Sequence, residues 1–186
     1  MVDRRVGAAG TALVVMLGLA ACVPEAGKPG PGPTAQLTDE ASPGGSPGTA
    51  DALDAGQAVD AAIRAEGDVV VELSRDREGG VEVWEVGVLR ADGSGVELHL
   101  DAHSGEVLRE RAMDLDAEQR SAPAVSAHDA IDAALTAVPG TIDELDLDSE
   151  GSRIVWEAQV DADDGGRFEL RIDAATGEVL SQERDD

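Results

Sequence analysis

The sequence repeats itself after 72 residues without a gap, from Trp84 to Trp156 and from Gly105 to Gly177. The run Asp101-Ala102-His103-Ser104-Gly105-Glu106-Val107-Leu108 returns as Asp173-Ala174-Ala175-Thr176-Gly177-Glu178-Val179-Leu180, and Val59-Asp60-Ala61-Ala62-Ile63 returns as Ile131-Asp132-Ala133-Ala134-Leu135. A period this long, present twice, marks tandem copies of one small unit rather than a solenoid of short repeats. The constraint on the fold is severe. Whatever one copy builds, the other builds too, from about 60 residues.

A unit of that size buries only about 60% of the surface of its unfolded chain. Aromatic residues are scarce, with two Trp, one Phe and no Tyr, so Val, Leu, Ile and Ala must fill the core. The two copies are therefore expected to lean on each other. The formal net charge of −25 opposes binding to nucleic acid or anionic lipid headgroups. It suits basic partners, multivalent cations or simple solubility.

Residues 1–21 read as a signal peptide. Arg4 and Arg5 precede an apolar stretch from Val6 to Leu19, which is short for a membrane span. The ending Leu19-Ala20-Ala21-Cys22 resembles the lipobox of bacterial lipoproteins. That resemblance implies cleavage before Cys22, the single cysteine, and lipidation of its thiol. The expected location is the extracytoplasmic face of the cell membrane. Residues 22–50 hold six of the eight prolines and no apolar periodicity, and are expected to form a disordered tether.

Two α+β units follow, at 51–112 and 123–186. Each is expected to be a helix packed on an antiparallel sheet of three or four strands. Ala58, Val59, Ala62 and Ile63 make the apolar stripe of the first helix, which Gly67 ends. Ala130, Ile131, Ala134, Leu135 and Val138 make that of the second, started by Ser126 or Asp129 and ended by Pro139-Gly140. Val69, Val71 and Leu73 alternate, as do Leu145 and Leu147. Trp84, Val86 and Val88 share one face of the next strand, as do Trp156, Ala158 and Val160. Asp92-Gly93 and Asp164-Gly165-Gly166 reverse the chain. The return strands carry Val96, Leu98 and Leu100, and Phe168, Leu170 and Ile172. A tight turn at Gly105 or Gly177 precedes a last short strand. Glu and Arg alternate on the opposite face, among them Glu85, Glu97, Glu157 and Glu169.

Little of what the repeat keeps is reactive. His99 and His103 flank Asp101 as conceivable metal ligands, but their counterparts are Arg171 and Ala175, and a zinc site needs three or four ligands. His128 lies near a helix start without a nucleophile in evident reach. Asp161-Ala162-Asp163-Asp164 opens like a calcium loop, yet an EF-hand needs an acid or amide where Gly165 stands and a Glu where Ile172 stands. The repeated Asp101-x-x-Ser104-Gly105 and Asp173-x-x-Thr176-Gly177 read as turns in which Asp and hydroxyl groups accept backbone N–H bonds. Trp84 and Trp156 are core anchors or parts of a binding surface. No catalytic residue, metal site or cofactor is expected.

Ala137-Val138-Pro139-Gly140, Val155-Trp156-Glu157, Asp164-Gly165 and Asp173-Ala174-Ala175-Thr176-Gly177-Glu178-Val179 together resemble the PepSY domain pattern. The first copy has Glu66-Gly67 where the pattern has Pro-Gly, and Ser104 in place of Thr. The resemblance covers about residues 52–111 and 124–183. It implies a non-catalytic domain of the kind found in propeptides of secreted metallopeptidases and in cell-envelope proteins. The expected function is to bind and modulate a protein partner, an extracellular peptidase among the candidates, acting in trans. The alternative is an acidic envelope protein that binds or senses divalent cations.

Overall fold

The computed structural model describes residues 51–67 and 69–185. The signal segment, Cys22 and the tether lie outside the described residues.

Each half begins with a helix whose ends the sequence specifies. Helix α1 (Ala55–Glu66) is capped by Asp54, whose side chain accepts from the Gln57 N–H while the Gln57 Oε1 accepts from the Asp54 N–H. Gly67, at φ 78°, closes it by donating its N–H to the Ile63 carbonyl. Helix α2 (Ala127–Ala137) is capped by the same reciprocal pair made from Ser126 and Asp129, and Pro139 stops it one residue past its Val138 cap. A cap of this type contributes about 1 kcal/mol. The stripes Ala58-Val59-Ala62 and Ala130-Ile131-Ala134 are buried, whereas Ile63 is left partly exposed.

Four strands follow each helix: β1 (Val69–Glu78), β2 (Val81–Leu89), β3 (Gly95–Asp101) and β4 (Val107–Met113), then β5 (Gly140–Glu150), β6 (Arg153–Ala162), β7 (Arg167–Asp173) and β8 (Val179–Asp185). The last strand of each half runs seven residues, well past the expected Val-Leu pair. A bulge at Val71 breaks the expected alternation in β1, so that Val70 and Val71 are both buried. The second half carries a bulge at the matching position, Asp143.

The eight strands form one sheet, not two. Its order is β4-β3-β2-β1-β5-β6-β7-β8, antiparallel throughout. The halves meet where β1 pairs with β5, with Leu73 opposite Leu145, Glu72 opposite Asp146 and Ser74 opposite Glu144. Leu73 thus meets its own repeat counterpart, and the pairs on either side are exchanged, as around a two-fold axis. The seam is the intramolecular equivalent of a self-complementary dimer contact. It covers what would otherwise be two exposed strand edges.

Both helices lie on one face of this sheet, α1 over β1–β3 and α2 over β5–β7, in contact with each other. Under them lies a single core that includes Leu73, Trp84, Val86, Leu98, Leu100, Leu145, Leu147, Trp156, Leu170 and Ile172. Among the described residues, no α-helix lies on the other, open face, whose margin Met113, Leu115 and Gln119 reach. The connection from β4 to α2 contains a short 3₁₀ turn, Glu118–Arg120, that rests against β5.

Candidate functional site

The repeated polar motif holds the fold together. The Asp101 carboxylate accepts from the N–H groups of His103 (3.0 Å) and Ser104 (2.8 Å) and from the Ser104 hydroxyl (3.0 Å). Gly105 takes φ 69° and donates to the Asp101 carbonyl. Asp173 receives the N–H groups of Ala175 and Thr176, both at 2.9 Å, and Gly177 takes φ 76°. These bonds, backbone first, hold both carboxyls below the usual aspartate range.

The turn also grips the chain that leads into the helix. The Leu53 N–H donates to the Ala102 carbonyl, and the Trp84 indole N–H donates to the Leu53 carbonyl at 3.1 Å. In the second half Val125 donates to Ala174 and the Trp156 indole donates to Val125, at 2.9 Å. Trp84 and Trp156 are fully buried. They anchor the core, and Asp, Ser or Thr, Gly and Trp recur together because each is one link of this clamp.

Asp164 sits in a hairpin turn, where it accepts from the Gly166 N–H at 3.1 Å and Gly165 takes φ 86°. His103 is exposed, and His128 lies 3.1 Å from Asp60, pairing the two helices. His99 is different. It is wholly buried among the side chains of the open face.

That open face is the most distinctive surface of the molecule. Ladders of opposite charge cross it. Arg111 pairs with Glu97 through Nε at 2.7 Å, and Arg171 pairs with Glu157 at 2.9 Å and Glu169 at 2.6 Å. Arg167 reaches Asp161 at 2.8 Å and Asp143 at 3.0 Å. Acid prevails along the seam, where Glu72, Glu144, Asp146 and Asp148 crowd together. Burial first, and then the neighbouring Asp146, Glu97, Glu144 and Glu85 carboxylates, push the Glu72 carboxyl up to about 7. Burial likewise lifts Asp146 to about 6, against the pull of a 3.1 Å bond from the Gln119 amide. The Met113 side chain packs over Gly87 beside Glu72, and the connecting segment brings the buried Gln119 to Asp146.

Neither the acidic seam nor the burial of His99 follows from the repeat alone. The seam arises where β1 meets β5, and strand pairing between copies leaves no side-chain signature. Only the alternation of Glu72 and Ser74 with apolar neighbours signalled that those two residues share a face.

The profile of the family described as peptidase propeptide and YPEB domain, PepSY, matches residues 52–111 and 124–183. The chain is 28% identical over 117 residues to YkoJ of Bacillus subtilis strain 168, itself uncharacterised, and the alignment covers 63% of this chain. It spans 66% of that protein, just under two thirds of the relative's length. A solved protein of Clostridium difficile 630, described as a candidate lipoprotein, is 21% identical, with a TM-score of 0.44 over 72% of this chain and 93% of that one. The C-terminal domain of Bacillus megaterium YpeB is 13% identical, with a TM-score of 0.30 over 72% of this chain and 66% of that one. Among the described residues, no helix is long and apolar enough to cross a membrane.

Proposed function

This chain belongs to the PepSY family, in two tandem copies, and on that premise we propose that it is a non-catalytic, lipid-anchored protein of the cell envelope that binds a protein partner through its open sheet face. One observation carries the reading. The two copies merge into a single eight-stranded sheet with both described α-helices on one face, and the other face carries charged ladders. A surface rich in acid selects basic partners and speeds their encounter at low salt. The repeated polar residues are engaged in turns and clamps, which gives them a structural role. A secreted peptidase is the first partner to test, given the family. The Leu19-Ala20-Ala21-Cys22 sequence supports anchoring, because a lipidated Cys22 with more than one acyl chain holds stably to a bilayer.

The test compares the full chain with its Cys22→Ser variant in living cells, using chemical cross-linking before fractionation. The native chain is expected in the membrane fraction with a cross-linked extracytoplasmic protein, and the variant in the soluble fraction. Glu144→Lys with Asp148→Lys should weaken the cross-link without unfolding the chain. A native chain found free of membranes and of any partner refutes the reading.

A further inference from the structure

We propose that His99, Glu78 and Glu85 form a zinc-class divalent metal site on the open face of the first half. His99 stands on β3 opposite Glu85 of β2, and its side chain is fully buried. Its Nε2 lies 2.5 Å from the Glu97 carboxylate. A carboxylate only accepts, so Nε2 carries the proton and donates it there. With that proton on Nε2, Nδ1 is the ring atom whose lone pair a metal would take. That atom is buried and makes no hydrogen bond. It faces Glu78 Oε1 and Glu85 Oε1, each 3.4 Å away. Three electron-rich atoms converge, all within 4.8 Å of one another, with no donor among them.

The spacing suits a metal ion. Bonds of about 2.0–2.2 Å to nitrogen and oxygen in a tetrahedral site put neighbouring ligand atoms about 3.3–3.6 Å apart. The support also fits. A metal-bound histidine commonly donates its other ring N–H to a carboxylate, which fixes the tautomer and aims the ring. Glu97 fills that place, and Arg111 neutralises Glu97. Arg109 brings a guanidinium to the edge of the ligand set, with Nη1 3.5 Å from Glu78 Oε1. One imidazole and two carboxylates leave a fourth position for water. A mixed nitrogen and oxygen set favours zinc over calcium or magnesium, which take oxygen ligands.

The repeat supplies an internal comparison. The residues 72 positions on from Glu78, Glu85, Glu97 and His99 are Glu150, Glu157, Glu169 and Arg171. The same carboxylates are kept, and the histidine is replaced by a permanent cation. The Arg171 guanidinium donates to Glu157 and Glu169, and Glu150 adds to its field. The second half fills its acidic pocket with its own side chain. The first half puts a metal-binding imidazole at that position, and a bound ion does there what Arg171 does across the seam. The partner-binding reading above does not depend on this site.

Titration of the full chain in detergent with zinc chloride, read by calorimetry and by metal content after dialysis, tests the proposal. One zinc per chain is expected, bound at least tenfold more tightly than calcium, and zinc anomalous scattering should place it between His99, Glu78 and Glu85. His99→Arg should abolish the site while leaving the circular dichroism unchanged, since Arg171 occupies the matching place. Glu85→Gln should weaken binding at least tenfold, as should Glu97→Gln, which touches no metal. If His99→Arg does not fold, the two glutamine variants decide. Sub-stoichiometric zinc, or zinc retained in the variants at native affinity, overturns the proposal. So does a His99 ring that takes up a proton and no metal.

Discussion

At the scale of residues, the seam pair Glu72 and Asp146 sets an unusual dependence of stability on pH. Their folded-state values, about 7 and about 6, lie above the ordinary 4.5 and 3.8 of an unfolded chain. Between these limits the folded state binds more protons than the unfolded one, so stability falls as pH rises. The stabilisation is fully present below about pH 4 and is lost by about pH 7. Asp101, Asp173 and Asp129 act oppositely, because hydrogen bonds hold their carboxyls low and their contribution is lost in acid. The optimum should fall near pH 4, where the mutual repulsion of a chain with net charge −25 is also reduced. A tenfold difference in proton affinity between the folded and unfolded chain corresponds to about 1.4 kcal/mol, and solvent access to the seam reduces the sum over the pair to about 2 kcal/mol. Urea unfolding at pH 5.5 and 8 should show the later part of that loss, about 1 kcal/mol. Glu72→Gln should remove about half of it and stabilise the chain at pH 8. Equal stability at both pH values in the native chain would rule out the seam as its source.

At the scale of elements, the helices and turns were legible because their signals are local. Ser126, Asp129 and Gly67 each act within one turn of chain. The Trp strands were equally legible, since Trp84, Val86 and Val88 keep strict alternation. The β1 bulge was hidden because Val69, Val71 and Leu73 imitate an unbroken strand, and only pairing with β2 reveals the slip. The β1–β5 seam was hidden for a deeper reason. Backbone N–H and C=O groups make it, and these are the same in every sequence. The two-fold relation gives it a consequence. A fragment of residues 51–113 exposes the β1 edge that β5 normally covers, and a second copy of that edge has the same Leu73 to offer. The fragment should dimerise or aggregate through β1, as read by sedimentation velocity at micromolar concentration. A folded, monomeric fragment would show that the edge does not need its partner.

At the scale of the whole molecule, the repeat suggested two domains, and the eight strands join both halves in one sheet. Strand pairing crosses the seam, and the core runs beneath both helices without a gap. The protein contains its own reporters, because each half has one tryptophan, buried at the matching place. Trp156→Phe leaves Trp84 to report on the first half, and Trp84→Phe leaves Trp156 to report on the second. Each variant loses one indole bond to a carbonyl and so lowers stability by about 1 kcal/mol or more. Leu170→Ala, added in the second half, should cost about 2–5 kcal/mol by opening a cavity in the core. If the halves fold as one, Trp84 fluorescence in the Trp156→Phe background must shift its urea midpoint by the full cost of Leu170→Ala. Leu170 lies four strands away from Trp84's strand β2, so no contact between the two side chains can carry that shift. A Trp84 midpoint that ignores Leu170→Ala would mean independent domains, and the seam would then be a contact rather than a bond in the fold.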